Sequence, residues 1–87
     1  MFKKRRGINI PYNRQGLIHF TCLDVQNQPE YIQRKILNLC NEVAGEDCQA
    51  LYEAMTSDTL NITGIALKHY ISEKKIYNYR KEFYERW

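Results

Sequence analysis

The sequence predicts an all-α protein, a small bundle of about five helices in one domain. Apolar residues recur at helical spacing between positions 32 and 43. Two later segments each begin with a polar cap flanked by hydrophobic residues, as helices commonly do. With 87 residues the chain can bury one small core, which leaves little room for a separate ligand pocket.

The first predicted helix runs from Gln15 to Gln26 and follows an arm formed by residues 1–13. We expect Leu17 and Phe20 to face the core, with Leu23 as a further inward candidate. Apolar residues also alternate at positions 18, 20 and 22, so a short strand is the competing interpretation. The arm contains glycine and proline and is expected to be flexible or extended.

The second and third predicted helices are separated by Gly45. Pro29 suits the first turn of the second helix, and Gly45 is expected to end that helix in the left-handed conformation. Glu46 and Asp47 would begin the third helix, because acidic side chains favour the positive end of a helix dipole. A polar loop at positions 56–59 would follow it. The inward residues of these two helices are expected to be Ile32, Ile36, Leu39, Cys40, Val43, Ala50, Leu51, Ala54 and Met55.

Two short helices separated by a tight turn are predicted within residues 61–87. Asn61 can cap the first and Ser72 the second, and each cap lies between two hydrophobic residues spaced to pack together. Ala66 is small enough to let the helices approach closely, and the core between them would be Ile65, Ile71 and Ile76. This layout is a helix-turn-helix. The predicted fold is therefore an all-α domain of residues 14–87 with a C-terminal helix-turn-helix.

The segment resembles the helix-turn-helix of small bacterial and phage DNA-binding regulators. In that pattern an Ile-Ala pair precedes a Gly-Val-Ser turn and a Val or Ile four residues after the serine. Two residues depart from it, because Tyr70 replaces the usual glycine and His69 replaces an apolar residue. A non-glycine residue in the left-handed turn is strained by about 1 kcal/mol, which an open or longer turn would avoid. The matching residues are Ile65, Ala66, Tyr70, Ile71, Ser72 and Ile76.

The resemblance implies that the second of these helices lies in the major groove of double-stranded DNA. Carried over by position, its outward residues would be Ser72, Glu73, Lys74, Tyr77, Asn78 and Lys81. Asn78 has the donor and acceptor that match adenine, Lys74 could donate to guanine, and Glu73 could accept from cytosine. Sequence-independent contacts to phosphate are expected from Lys75, Arg80 and Lys81. The basic residues Lys3, Lys4, Arg5 and Arg6 would either follow the DNA backbone or enter a minor groove, as basic arms do beside helix-turn-helix units.

Charge is distributed unevenly along the chain. Residues 1–14 contain five basic side chains and no acidic ones, whereas residues 15–71 contain seven acidic and three basic ones. Residues 72–87 contain five basic and three acidic side chains. Two basic ends would form a polyanion-binding surface if they meet in space, although a solvated charged surface with no partner is the simpler interpretation.

The cysteines suggest neither a disulfide framework nor a metal site. There are three of them, and none belongs to a CxxC pair. A zinc site could be drawn from His19, Cys22, Cys40 and Cys48, but structural zinc sites usually bring their ligands in closely spaced pairs. We therefore expect the cysteines to act as small buried hydrophobic residues.

No catalytic motif is present, so we expect a protein that is not an enzyme and uses no cofactor. His19 and His69 are isolated, and no catalytic triad order, phosphate-binding loop or zinc-protease motif occurs. No apolar run approaches the roughly 20 residues needed to cross a membrane. The basic N-terminus lacks the apolar stretch of a signal peptide, so a cytoplasmic location is expected.

Two functions from different classes are therefore open. In the first, the chain is a small DNA-binding regulator or an accessory factor of a phage or mobile element, with a homodimer as one possible assembly. In the second, it is a helical adaptor that binds a protein through its acidic middle and its aromatic C-terminus. Tyr84 and Trp87 would pack on the body or form a dimer contact.

Overall fold

The computed structural model describes residues 7–57 and 61–87, and over these residues the protein is all-α. The five helices are α1 (Tyr12–Leu23), α2 (Glu30–Ala44), α3 (Cys48–Thr56), α4 (Ile62–His69) and α5 (Glu73–Arg86). Short 3-10 turns, Val25–Asn27 and Gly45–Asp47, connect the first three helices. The described residues contain no strand, so the predicted fold class is confirmed and the alternative of a strand near residue 20 is wrong.

Prolines set the beginnings of α1 and α2. Pro11 and Pro29 occupy the N-cap positions with extended backbone, and each helix begins at the next residue. Helix α1 therefore starts at Tyr12, three residues before the predicted Gln15, and it ends at Leu23. Proline fits such a position because its missing N–H is not needed at a helix start.

The connection between α2 and α3 differs in detail from the prediction. Gly45 has a positive φ of 55°, as expected, but its ψ of −117° lies outside the left-handed helical region. The chain instead forms a 3-10 turn that contains Glu46 and Asp47, and α3 begins at Cys48. The two acidic residues thus precede α3, and Asp47 is its N-cap residue.

The main hydrophobic core is shared by α1, α2, α3, α5 and the segment before α1. Its buried members are Ile8, Ile18, Cys22, Val25, Ile36, Leu39, Cys40, Ala44, Leu51, Met55, Phe83 and Tyr84. Ile32 and Val43 pack against it while partly exposed, which confirms the predicted inward stripe of α2. Trp87 also packs against this core, and Lys35 Nζ lies 4.2 Å from the centre of its ring. The C-terminal aromatic residues therefore belong to the body of the protein.

The inward face predicted for α1 is wrong. Leu17 is 59% exposed and Phe20 is 53% exposed, whereas Ile18 and Cys22 are completely buried. Gln15 shares the buried face with Ile18 and Cys22, and its amide donates hydrogen bonds to the backbone before the helix. Apolar spacing alone could not reveal this rotation, because α1 has hydrophobic residues on both faces.

Cys22 and Cys40 are free cysteines buried in the main core. Burial raises the pKa of both Cys22 and Cys40 to about 12, so each thiol remains protonated and acts as a small hydrophobic group. Within residues 7–57 and 61–87, no three His, Cys, Asp or Glu side chains lie close enough together to hold a metal ion.

In the same part of the chain, no helix has the length and apolar character needed to span a membrane.

Candidate nucleic-acid interface

Helices α4 and α5 are joined by only three residues, Tyr70, Ile71 and Ser72. A second hydrophobic cluster lies beneath them, separate from the main core. Its buried members are Ala50, Ile65, Ala66 and Ile76, and Ala54, Ile62 and Ile71 pack against it while partly exposed. The predicted core between the two helices is thereby confirmed, and Ala50 shows that α3 supports both of them.

The turn after α4 closes in the left-handed conformation despite its tyrosine. Tyr70 has φ 57° and ψ 40°, the values that usually favour glycine. Its N–H donates to the carbonyl of Leu67 at 3.4 Å, and the N–H of Ile71 donates to the carbonyl of Ala66 at 3.1 Å. These two bonds make a Schellman motif, so the turn is neither open nor longer. The Tyr70 side chain is 95% exposed and gains no packing in return for the strain.

Both predicted N-caps are confirmed. The Asn61 side chain accepts a hydrogen bond from the N–H of Gly64 at 2.7 Å. The Ser72 hydroxyl oxygen accepts one from the N–H of Lys75 at 3.1 Å. Each cap satisfies a backbone donor that the first helical turn leaves without a partner. Leu60, the hydrophobic residue that precedes the first cap in the sequence, lies outside the described residues.

Glu53 on α3 binds the C-terminal end of α4. Its carboxylate accepts hydrogen bonds from Lys68 Nζ at 2.9 Å and from His69 Nε2 at 2.8 Å. Desolvation raises the pKa of Glu53, but the hydrogen bonds from Lys68 and His69 outweigh it and the pKa lies below its ordinary value. In the regulator pattern this position is apolar. Here the polar His69 occupies it and pairs with the Glu53 carboxylate.

Asp47, at the start of α3, binds α5 in a similar way. Its Oδ2 atom accepts a hydrogen bond from the Tyr79 hydroxyl at 2.6 Å and lies 3.0 Å from Lys75 Nζ. The hydrogen bonds from Tyr79 and then from Lys75 lower the pKa of Asp47. The two carboxylates thus connect α3 to both helices of the helix-turn-helix.

An exposed polar stripe runs along α5, which we call the α5 stripe and define as Lys74, Asn78, Lys81 and Glu85. The spacing of four, three and four residues places these side chains on one helical face. The buried Ile76 and Phe83 lie on the opposite face. Lys74, Asn78 and Lys81 make no ion pair or side-chain hydrogen bond with the other described residues.

The remaining predicted residues of α5 lie beside the α5 stripe and already have contacts. Glu73 accepts a hydrogen bond from the Thr63 hydroxyl at 2.9 Å. Tyr77 is 46% exposed, and the Arg80 guanidinium lies 4.9 Å from the centre of its ring. Lys75 pairs with Asp47, away from the stripe. The predicted contacts Lys3, Lys4, Arg5 and Arg6 lie outside the described residues.

The contacts of four residues that hold this geometry could not be predicted from the sequence: Gln15, Asp47, Glu53 and Thr63. Each acts through a partner that is distant along the chain or in another element, and no local motif marks such a pair. The sequence indicates only a helix start at Asp47, because its contact with Tyr79 spans 32 positions. Burying a glutamine side chain is costly, so its burial makes Gln15 notable in the structure. Nothing in the sequence indicates that Gln15 is buried.

Comparisons with protein-family models, with curated proteins and with solved structures find no match to this chain.

Proposed function

We propose that this protein binds double-stranded DNA through α4 and α5, as a small transcriptional regulator or as an accessory factor of a phage or mobile element. One observation carries the proposal. A three-residue Schellman turn joins two capped helices, and the second of these exposes Lys74, Asn78 and Lys81 along one face. A helix presented in this way fits the major groove with its N-terminal half nearest the bases.

The side chains on the α5 stripe suit base edges and phosphates. Asn78 can donate to and accept from adenine, and Lys74 can donate to the acceptors of guanine. Lys81, one helical turn beyond Asn78, suits a phosphate of the backbone. The hydroxyl of Ser72 accepts from the N–H of Lys75 and keeps its own hydrogen for a phosphate oxygen.

Some of the basic residues near the proposed interface are already paired within the protein. Lys75 is bound by Asp47 and Lys68 by Glu53, so DNA would have to compete with a carboxylate for each of them. Lys74 and Lys81 have no acidic partner among the described residues. We therefore assign the main electrostatic contribution of α5 to Lys74 and Lys81.

A titration with mixed-sequence duplex DNA at two salt concentrations tests the proposal. Binding should weaken steeply as salt rises, because each phosphate contact releases counterions. Replacing a lysine that contacts phosphate should reduce the slope of log K against log salt by about 0.9. Lys81→Gln is the test variant. Arg34→Gln is its control, because it removes the same charge from an exposed position on α2.

Two results would contradict the proposal. One is the absence of binding to any duplex at low salt, and the other is an equal loss of affinity in the Lys81→Gln and Arg34→Gln variants. The second result would mean that only the overall charge matters and that α5 has no special role.

A protein-binding adaptor is the second candidate, and one observation favours it. Leu17 and Phe20 are hydrophobic, lie on α1 and are more than half exposed. A second copy of the chain or another protein could cover them, and burying them would stabilise such a contact. The aromatic C-terminus is a weaker basis for an adaptor, because Tyr84 is buried and Trp87 packs on the core. A contact through Leu17 and Phe20 would be far less sensitive to salt than DNA binding.

A further inference from the structure

A cleft between α2 and the C-terminal end of α5 lies outside the α5 stripe. It has a volume of about 210 Å³ and is open to solvent. Its lining residues are Lys35, Asn38, Leu39 and Glu42 of α2 and Arg86 of α5. All of these except Leu39 have exposed polar or charged side chains. The cleft is therefore a polar site that a ligand can reach from solvent.

Lys35 is held at this cleft by an aromatic ring and not by a carboxylate. Its Nζ atom lies 4.2 Å from the centre of the Trp87 ring, and a cation over the face of an indole is attracted to it. Within residues 7–57 and 61–87, Lys35 has no ion-pair partner. The ring therefore keeps the ammonium group in place without neutralising its charge.

Arg86 supplies a second positive charge to the cleft. Its Nε atom lies 3.8 Å from Oε2 of Glu82, which is longer than a hydrogen bond. This carboxylate therefore leaves the guanidinium N–H groups able to donate elsewhere, and two of them can bind one phosphate together. The side-chain amide of Asn38 adds a neutral donor at the same cleft.

The position of the cleft beside the α5 stripe matters for DNA. Arg86 follows Glu85, the last member of the stripe, and successive residues are about 100° apart around a helix. A helix in the major groove, which is about 12 Å wide, has a phosphate backbone on each side. With the stripe directed at the bases, Arg86 and the neighbouring residues of α2 face one of these two backbones.

We propose that Lys35, Asn38 and Arg86 form a binding site for one phosphate of the DNA backbone. The proposal rests on the DNA-binding function proposed above, and it adds α2 to the interface. The helix-turn-helix pattern covers only residues 61–87 and gives α2 no part in DNA binding. The site thus widens the protein surface that contacts DNA beyond α4 and α5.

Glu42 lies in the same cleft and opposes the binding of an anion there. Glu42 and Glu82 together balance the charges of Lys35 and Arg86, so a free phosphate ion should bind weakly. A backbone phosphate is instead attached to DNA that the α5 stripe already holds, and this attachment raises its effective concentration at the cleft. The cleft therefore suits a phosphate that is part of bound DNA.

The variant Lys35→Gln and its control Arg34→Gln test the site. Arg34 is the preceding residue of α2, is also exposed and does not line the cleft. Both variants and the wild type are titrated with mixed-sequence duplex DNA at about 50 and about 200 mM salt, over which each phosphate contact changes affinity by about threefold. The fall in affinity over this range should be about threefold smaller for Lys35→Gln than for the wild type. Arg34→Gln should keep the salt dependence of the wild type.

Trp87 provides a direct readout of the cleft, because it is the only tryptophan in the chain. Its fluorescence should change when duplex DNA draws the Lys35 ammonium group from the ring, and this change should be largely lost in Lys35→Gln. Inorganic phosphate alone, added at constant ionic strength, should leave the fluorescence unchanged. The same change with inorganic phosphate as with DNA would make the cleft a site for a free anion and overturn its assignment to DNA.

Two further variants extend the test. Arg86→Gln should reduce the salt dependence as Lys35→Gln does, and it replaces that variant if circular dichroism shows that Lys35→Gln is unfolded. Glu42→Gln removes the opposing charge and should strengthen DNA binding more than Glu46→Gln, which removes an exposed acidic charge outside the cleft. Equal effects of the two glutamate substitutions would contradict the site.

Failure of this site and failure of the proposed function give different results. If the wild type shows no salt-sensitive binding to duplex DNA, the proposed function itself fails. If the wild type binds and Lys81→Gln weakens binding, but Lys35→Gln and Arg86→Gln behave like Arg34→Gln, DNA binding stands and the phosphate site on α2 is overturned.

Discussion

The hydroxyl of Tyr79 donates a 2.6 Å hydrogen bond to Oδ2 of Asp47, which connects the start of α3 to the middle of α5. Tyr79 packs its ring against the main core while its hydroxyl reaches the carboxylate. Since Lys75 approaches the same oxygen from one turn earlier on α5, the orientation of this helix is fixed by polar contacts as well as by packing.

Tyr79→Phe should lower the free energy of unfolding by about 1–2 kcal/mol, because it removes a hydrogen bond to a charged group while keeping the ring. Tyr31→Phe is the matched control, since Tyr31 is largely exposed and should change stability by less than about 0.5 kcal/mol. Urea denaturation monitored by circular dichroism measures both. Equal effects of the two substitutions would mean that the Asp47 contact contributes nothing to stability.

Acid should destabilise the protein through Asp47 and Glu53. The folded-state pKa of each lies below its ordinary value, 3.8 for Asp47 and 4.5 for Glu53. For each carboxylate, at pH values between its folded-state pKa and its ordinary pKa, the unfolded chain binds more protons than the folded protein. The stability that the carboxylate contributes is therefore present above its ordinary pKa and is lost as the pH falls through its folded-state pKa.

The double variant Asp47→Asn, Glu53→Gln tests whether these two carboxylates cause the loss of stability in acid. Unfolding free energies are measured from pH 6 down to about pH 2.5, a range that spans the carboxyl pKa values. The double variant should be less stable at pH 6 and should lose less stability on acidification than the wild type. The control is Glu42→Gln, which changes an exposed carboxylate on α2. If the double variant loses as much stability as the wild type, other carboxylates cause the acid sensitivity.

Tyr70→Gly should stabilise the protein by about 1 kcal/mol, because glycine adopts the left-handed conformation without a steric penalty. The exposed tyrosine ring loses no packing when it is removed. Tyr70→Ala removes the ring but keeps the Cβ atom, so it should leave the melting temperature nearly unchanged. A similar rise for both variants would show that the ring, and not the backbone conformation, is unfavourable at this position.

Thr63→Val should alter base preference more than affinity. The Thr63 hydroxyl holds one carboxylate oxygen of Glu73, and the other oxygen is then directed as an acceptor for the amino group of cytosine in our proposed complex. Selection from a random duplex library would compare the wild type with Thr63→Val and Glu73→Gln. We expect Glu73→Gln to weaken discrimination at one base position by about 1–3 kcal/mol, and Thr63→Val to weaken it in part at the same position. Changes at unrelated positions would argue against this pairing.

The exposed side of α1 yields a prediction about assembly. Replacing Leu17 and Phe20 by serine should cost the monomer little, whereas Ile18→Ala should cost about 2–5 kcal/mol because it leaves a cavity in the core. If a second copy covers Leu17 and Phe20, the serine variant should sediment as a smaller species than the wild type. An unchanged sedimentation coefficient would exclude this side of α1 as the contact between copies.

The sequence predicted the structure well where local chemistry decides it. The caps at Asn61 and Ser72 and the inward stripe of α2 depend on residues that are neighbours along the chain. For the turn at Tyr70 the sequence left an open or longer turn as the alternative, and only the structure shows that the strained left-handed conformation is adopted. The rotation of α1 could not be predicted, because apolar residues lie on both of its faces. The burial of Gln15 on the inward face depends on bonds to backbone carbonyls, which no residue type in the sequence marks. The exposure of Lys74, Asn78 and Lys81 followed from helical spacing, whereas the pairing of Lys75 with Asp47 required the tertiary structure.

The separate cluster beneath α4 has a consequence for the cooperativity of unfolding. Helix α4 has eight residues and buries only Ile65 and Ala66, which pack with Ala50 of α3 and Ile76 of α5. A short helix with so little apolar surface removed from water opens at a lower free energy than the main core, so its amide hydrogens should exchange before those of α2. The polar pairs from Glu53 to Lys68 and His69 add a further restraint on this sub-global opening. A ligand bound across α4 and α5 would slow exchange in this unit first, well before it changed the protection of the main core.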